Sequence, residues 1–258
     1  MAESPKAPGK RKRETQQLVS SKHTPKRMKK AKVKPAQTRE SERTADVNDA
    51  IAHMDSKLLS DHVAQGIRRF EPKLSLVELE DRFIPERAIR DTSEWSQSRT
   101  TEQLPSYLEY FHGGPQASDQ LSKAGLAPGC PHTLVIAAAG LRAADLARTL
   151  RKFQTKEAMV AKLFAKHIKL KEAVGMAKKS RIGIGVGTPQ RIVDLLENGA
   201  LSSEALERIV IDASHINQKK RGILDMQETE IPLTKLLARD ELRSRFDSDD
   251  KRIDLLFF

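Results

Sequence analysis

Apolar residues recur every three or four positions between residues 46 and 70. The series consists of Val47, Ile51, Met54, Leu58, Leu59, Val63, Ile67 and Phe70. This spacing places the apolar side chains along one side of a helix, which needs a packing partner. Residues 74–95 show no sustained period and predict short helical pieces and turns. Residues 104–111 predict a short helix, whose first turn tolerates Pro105.

From residue 132 onward, short apolar runs alternate with helix-like segments. The predicted strands are residues 133–139, 159–165, 182–186, 206–212 and 253–258. Helices are predicted after Gly140, over residues 171–178, after Thr188 and over residues 232–237. Strands separated by helices imply right-handed crossovers and a parallel sheet covered on both faces. The sequence therefore predicts an α/β domain with a single sheet over residues 132–258.

Composition divides the rest of the chain. Hydrophobic residues make up 38% of the chain, charged residues 31% and aromatic residues 4%. This apolar content is low for a single hydrophobic core that spans all 258 residues. We therefore expect a disordered basic tail over residues 1–45 and a helical or irregular extension over residues 46–131. No apolar run is long enough to span a bilayer and the amino terminus has no apolar signal region, so we expect a soluble protein without a membrane partner. The single Cys130 excludes an internal disulfide and a zinc finger.

The net charge of +11 falls into two basic blocks. Residues 1–35 hold twelve basic and two acidic residues, which gives +10, and residues 142–191 hold thirteen and three, which again gives +10. Residues 46–141 hold nine basic and fourteen acidic residues, which gives −5. The clusters of the first block are Lys10, Arg11, Lys12 and Arg13, and then Lys26, Arg27, Lys29 and Lys30. They are typical of nuclear-import or nucleic-acid-binding segments, although a solubilising tail has the same composition.

Thr188 and Pro189 are suited to start a helix, as N-cap and first helical residue. The free N–H groups of a helix amino terminus attract anions, and Arg191 adds a charge in the first turn. The alternative is that this pair only caps a helix. Lys166, His167 and Lys169 follow the second strand, at the carboxyl edge where open α/β sheets bind ligands. Together with Arg151, Lys152, Lys156 and Lys162 they predict a phosphate-tracking stripe, although solvated helix faces explain some of these lysines equally well.

Gly183, Gly185 and Gly187 alternate along the third predicted strand. A dinucleotide fingerprint requires a glycine at position 188 and a turn after the strand, so the spacing excludes it. Alternate glycines in a strand instead predict the close approach of a neighbouring backbone or helix.

Five segments, taken in order, carry a resemblance to known proteins: residues 133–147, 162–172, 188–191, 210–215 and 252–258. They resemble the amino-terminal RecA-like domain of DEAD-box RNA helicases. They resemble more closely the CMS-type family of 90S pre-ribosome subunits, which are helicase-like nucleolar proteins. The resemblance implies a RecA-like fold, a nuclear and nucleolar location, and pre-ribosomal RNA and 90S proteins as partners. It also implies that Thr188 and Arg191 contact the RNA backbone. Gln190, which replaces the helicases' glycine between them, is a further candidate for RNA contact, and Arg142 lies near a further RNA-binding motif.

The sequence departs from the helicases where ATP chemistry would occur. Ala213 follows Asp212, where a hydrolysing enzyme carries Glu, which suggests a structural role for Asp212. Upstream of Thr133 the glycine-containing loops have no Lys-Thr or Lys-Ser pair to bind phosphates and magnesium. We therefore expect a non-catalytic assembly factor without cofactor, metal or small-molecule substrate. The alternatives are a protein-interaction scaffold without RNA contact and a residual ATP-dependent helicase or nucleotidase.

Overall fold

Five parallel strands form the centre of the fold, in the order β2-β3-β1-β4-β5. The computed structural model describes residues 46–114, 116–165 and 168–258. The strands are β1 (Thr133–Ile136), β2 (Met159–Leu163), β3 (Ile182–Gly187), β4 (Arg208–Ile211) and β5 (Asp254–Phe257). The parallel sheet flanked by helices that the sequence predicts is confirmed.

Helices cover the first face of the sheet over a core that includes Ile136, Leu163 and Ile211. The helices in this region are α1 (Asp49–Ala52), α2 (Ser56–Phe70), α3 (Leu76–Arg82), α7 (Leu170–Ala177), α8 (Pro189–Glu197), α9 (Gln227–Leu237) and α10 (Asp240–Phe246). On the second face the helices are α4 (Leu104–His112), α5 (Ala117–Leu121) and α6 (Gly140–Thr149). That second core includes Val135, Val186 and Phe258.

Residues 46–131 pack on both faces of the sheet, a relationship that the sequence left open. The chain crosses from one face to the other at the outer edge of β5, where Ile89 forms a parallel bridge with Leu255. The Phe257 carbonyl accepts hydrogen bonds from Thr92 Oγ1 at 3.3 Å and Tyr107 Oη at 3.0 Å, as well as from Arg99. Polar side chains of the extension thus provide hydrogen-bond donors for the Phe257 carbonyl oxygen at the outer edge of β5.

Several local predictions are wrong in detail. The predicted helix over residues 47–70 breaks at residues 53–55, because the Asp55 side chain accepts a hydrogen bond from Leu58 N and starts α2 anew. Because α2 begins separately at Ser56, Leu58 does not share the buried side of α1 and lies at the surface, where it is 53% exposed. Helix α9 begins at Gln227 rather than at Pro232, which lies inside it. Helices α5 and α10 were not predicted, because each is short and has too few apolar residues to show a period.

The alternate glycines of β3 do allow close packing, as predicted. A Cβ atom at Gly187 would lie 2.2 Å from the Leu163 carbonyl oxygen, and one at Gly183 would lie 2.8 Å from the Lys123 carbonyl oxygen. Both distances are well below van der Waals contact, so only glycine fits at these positions.

Candidate nucleic-acid interface

The carboxyl edge of the sheet brings together the segments that follow β1, β3 and β4. Helix α6 begins after Ala139 and helix α8 begins after Thr188, while Asp212 directly follows β4. Because the strands are parallel, these three segments meet at one edge. Arg142 and Asp212, which are 70 positions apart in sequence, are in contact there.

Arg142 binds Asp212 with two hydrogen bonds. Its Nε lies 2.8 Å from Oδ2 of Asp212 and its Nη2 lies 2.7 Å from Oδ1, while Nη1 donates to Thr101 Oγ1. The Asp212 side chain is 1% exposed. Burial alone would lower the pKa of Arg142, but the charge and hydrogen bonds of Asp212 outweigh burial and raise that pKa. The pair is therefore a buried ion pair, so Asp212 makes a structural contact with α6 at the end of β4.

The start of the described chain covers this ion pair on one side. Val47 bridges His215 in antiparallel fashion, and Asn48 N donates to the Ser214 carbonyl oxygen at 2.6 Å. Burial lowers the pKa of His215, and the positive charge of Arg142 lowers it further. A small hollow of about 80 Å³ lies here, lined in part by Arg99, Arg142 and His215.

Thr188 and Pro189 begin α8 as the sequence predicts, with Thr188 in extended conformation before the first helical residue. The Thr188 hydroxyl makes no capping hydrogen bond to the helix. Gln190 is exposed and its Nε2 donates to Asp194 Oδ1 at 2.9 Å, one turn along the helix. The helix therefore presents its amino terminus and an exposed amide at the carboxyl edge.

Arg191 points inward rather than toward solvent. The residue is 8% exposed, and its Nη1 donates to the Ile168 carbonyl oxygen at 3.0 Å. Arg142 is likewise occupied by Asp212. The two arginines expected to contact phosphate therefore serve, in this structure, to hold the carboxyl edge together.

The predicted basic stripe is divided between the two edges of the sheet. Lys169 is exposed just before α7, at the carboxyl edge, whereas Lys166 and His167 lie outside the described residues. Lys162 is exposed on the edge strand β2. The segment of Arg151, Lys152 and Lys156 lies between α6 and the start of β2, at the amino edge. The stripe itself stays a prediction; its described members lie at both ends of β2, because the crossover helix carries Arg151, Lys152 and Lys156 to the amino end of this strand.

Arg99 and Thr101 belong to this region but were not predicted. Arg99 is 2% exposed and donates from Nη2 to the Thr92 carbonyl oxygen at 2.9 Å. Arg99 lies in an irregular segment and Thr101 begins a 3₁₀ turn over Thr101–Gln103. Neither segment has a periodic pattern, so the sequence contained no signal for their positions. The two predicted basic clusters of residues 10–13 and 26–30 lie outside the described residues.

Over residues 46–114, 116–165 and 168–258, no three His, Cys, Asp or Glu side chains form a group that is able to hold a metal ion. In the same part of the chain, no helix has the length and apolar character needed to cross a membrane.

Comparison with known proteins identifies the family. The family described as CMS1, U3-containing 90S pre-ribosomal complex subunit, matches residues 4–258. The chain belongs to this family. The family resemblance seen in the sequence is thereby confirmed, and family membership associates the chain with ribosome biogenesis.

Relatives in the CMS1 family span fungi and vertebrates. Protein CMS1 of Chaetomium thermophilum is 56% identical over 214 residues, which cover 83% of this chain and 84% of the relative. Protein cms1 of Schizosaccharomyces pombe is 34% identical over 171 residues, which cover 66% of this chain and 59% of the relative. Protein CMSS1 of Xenopus laevis is 33% identical over 178 residues, which cover 69% of this chain and 61% of the relative. The chain thus spans most of the first relative and about three fifths of the other two.

Among solved structures, the chain is similar to the yeast DEAD-box splicing factor Prp28. The two are 20% identical, with a TM-score of 0.43, over 63% of this chain and 34% of Prp28. Dbp5 of Saccharomyces cerevisiae is 15% identical, with a TM-score of 0.40, over 76% of this chain and 45% of Dbp5. The chain spans less than half of each of these proteins.

Proposed function

We propose that this protein is a non-catalytic subunit of the 90S pre-ribosomal complex that contacts pre-ribosomal RNA through the carboxyl edge of its sheet. The proposal includes a nuclear and nucleolar location, 90S proteins as further partners, and no requirement for a cofactor or small-molecule substrate. Family membership supports the assembly, and the geometry of the carboxyl edge supports the absence of catalysis.

The Arg142–Asp212 ion pair is the observation that carries the non-catalytic part of the proposal. Both carboxylate oxygens of Asp212 accept hydrogen bonds from one guanidinium group. The next residue, Ala213, is buried and offers no second carboxylate. Phosphoryl transfer depends on positioned charges around the transferred group. A carboxylate already neutralised by an arginine is poorly suited to bind magnesium, so we infer that ATP turnover is absent.

Exposed polar groups at the same edge support RNA contact. Lys169 and Gln190 are exposed, and α8 begins at this edge beside Thr188. Lysine and backbone N–H groups are common ligands of nucleic-acid phosphates. In this proposal Arg142 and Arg191 position the edge from inside, while Thr188, Gln190 and Lys169 contact the RNA.

One observation favours a second function, a protein-docking scaffold. Helix α3 has no buried residue, and Leu76 and Val77 on it are 84% and 69% exposed. Large exposed apolar side chains that lie together often mark protein interfaces. This surface is compatible with RNA contact elsewhere, but it is also compatible with a purely protein-bound subunit.

Crosslinking of the protein to RNA in cells, with the attached residues mapped, distinguishes the two functions. We expect crosslinks at or next to Lys169 and Gln190, and a reduced yield for Lys169→Glu. Lys235→Glu is the matched control, since Lys235 is an exposed lysine on α9. Retention of the protein in the pre-ribosomal complex without crosslinks at the carboxyl edge would instead support the scaffold function.

A further inference from the structure

The amino edge of the sheet, opposite the proposed RNA contact, carries a dense group of basic residues. Segments 122–124, 148–157 and 178–181 contain eight basic residues and one acidic residue, Glu157, which gives +7. The basic residues are Lys123, Arg148, Arg151, Lys152, Lys156, Lys178, Lys179 and Arg181. The last two segments lead into β2 and β3, so they lie where these strands begin. All eight residues are exposed except Arg181, which is half-buried.

An open hollow of about 600 Å³ lies within this group. Its lining includes Lys123, Lys156, Arg181, Glu157, Ser122 and Thr155. The lining thus consists mainly of cations and hydroxyl groups, with a single acidic side chain. We refer to it as the amino-edge hollow.

The loop that carries Lys123 is held in place by hydrogen bonds to its backbone. Arg181 donates from Nε to the Gly125 carbonyl oxygen at 3.0 Å and from Nη2 to the Ala124 carbonyl oxygen at 2.9 Å. His132 donates from Nε2 to the Lys123 carbonyl oxygen at 3.1 Å. These contacts fix the backbone of the loop and leave the Lys123 ammonium group on the surface.

The two lysines of the hollow are not paired with an acidic residue in the part of the chain that the structure describes. Among the described residues, neither Lys123 nor Lys156 forms an ion pair, whereas Lys152 nearby lies 2.7 Å from Glu109 Oε1. Glu157 is paired with Arg181 at 3.7 Å. Within the described residues the two ammonium groups are therefore outside any ion pair and available to an anionic ligand.

We infer that the amino-edge hollow binds the phosphate backbone of a second RNA segment. The inference rests on the proposed function, because it assumes that the protein contacts RNA. Lysine binds phosphate as a point charge without a required orientation, which suits a sequence-independent backbone contact. The five residues of β2, at about 3.3 Å each, separate this hollow from the carboxyl edge by about 16 Å. A protein with RNA contacts at both edges is able to hold two RNA segments together.

The test measures the affinity of the full chain for labelled single-stranded oligouridine over a series of salt concentrations. Each phosphate neutralised on single-stranded RNA contributes about 0.7 to the slope of log affinity against log salt concentration. We expect Lys123→Glu/Lys156→Glu to weaken binding and to reduce the slope by about 1.4. Lys57→Glu/Lys235→Glu is the matched control, with the same change in net charge at two exposed lysines on α2 and α9. The neutral variant Lys123→Gln/Lys156→Gln should reproduce the reduced slope.

The outcomes separate the inference from the proposed function. If the wild-type protein binds RNA, and Lys169→Glu weakens this binding while Lys123→Glu/Lys156→Glu does not, the inference is overturned and the proposed function stands. If the wild type binds no RNA, the proposed function is overturned together with the inference. If polyglutamate binds at the hollow and oligouridine does not compete, the ligand is an acidic polypeptide and the inference is again overturned.

Discussion

Arg142 and Asp212 form a two-point ion pair across the carboxyl edge of the sheet, with N–O distances of 2.8 and 2.7 Å. The pair joins the first turn of α6 to the end of β4. It neutralises the strand-end carboxylate and fixes the position of α6. The same contact thus holds α6 against the sheet and leaves the Asp212 carboxylate poorly suited to bind magnesium.

The first prediction concerns the stability that this pair provides. Asp212→Asn leaves the Arg142 charge buried without a partner, and removal of one member of a buried pair typically costs about 3 to 5 kcal/mol. We expect a loss near the lower figure, because Arg142 retains 13% side-chain exposure. Urea unfolding, followed by circular dichroism, measures this free energy.

A control for this prediction lies on the same helix. Arg148 forms an exposed ion pair with Asp145, and the two side chains are 68% and 52% exposed. Arg148→Gln should change the free energy of unfolding by less than about 0.5 kcal/mol. Equal losses in Asp212→Asn and Arg148→Gln would contradict a special role for the Arg142–Asp212 pair.

The second prediction concerns Glu230, a fully buried residue on α9. Neither carboxylate oxygen has a hydrogen-bond partner among the described residues. Burial raises the pKa of Glu230 from 4.5 to about 7, assisted by the negative charge of Glu71 and opposed by Arg82. Between pH 4.5 and about 7 the folded state therefore binds more protons than the unfolded state, and stability falls as pH rises.

Glu230→Met removes this pH dependence. The difference in unfolding free energy between variant and wild type should grow in favour of the variant by about 3 kcal/mol from pH 4.5 to just above pH 7, since one pKa unit corresponds to about 1.4 kcal/mol. Denaturant unfolding at several pH values measures it. Glu228→Met is the control, because Glu228 is exposed on the same helix. A constant difference between Glu230→Met and wild type over this range would disprove the account of Glu230.

The third prediction compares two glycines. A Cβ atom at Gly187 would lie 2.2 Å from the Leu163 carbonyl oxygen, whereas one at Gly175 has nothing within 4 Å. Gly187→Ala should lower the free energy of unfolding by about 2 kcal/mol or more through overpacking. Gly175→Ala, in the middle of α7, should raise it by about 0.5 to 1 kcal/mol through helix propensity. Thermal unfolding of both variants measures these changes. Similar effects of the two substitutions would show that the close approach of β2 to Gly187 does not exclude a side chain there.

The sequence predicted the central sheet well because its strands are buried. Strands β1, β3 and β4 consist mostly of apolar residues and lie between helix-like segments, and such runs are typical of a parallel sheet covered on both faces. The break between α1 and α2 was missed, because an N-cap at Asp55 overrides an apolar period that continues through it.

Side-chain direction at the candidate site was harder to predict. Arg191 follows a helix start in the way a phosphate ligand would, yet its guanidinium group turns inward to the Ile168 carbonyl oxygen. Arg142 meets an acid 70 positions away, a contact that only the folded sheet creates. Sequence spacing placed the residues at the correct edge, but it did not show which cations remain free.

The most direct test of the central claim is to measure RNA binding and ATP hydrolysis in the same sample. The purified chain of 258 residues is mixed with single-stranded RNA at fixed magnesium concentration and ionic strength, with and without ATP. The account predicts salt-dependent RNA binding with the same affinity in both conditions, and ATP hydrolysis no faster than in protein-free buffer. RNA affinity that changes with ATP, together with hydrolysis that Asp212→Asn abolishes, would contradict it.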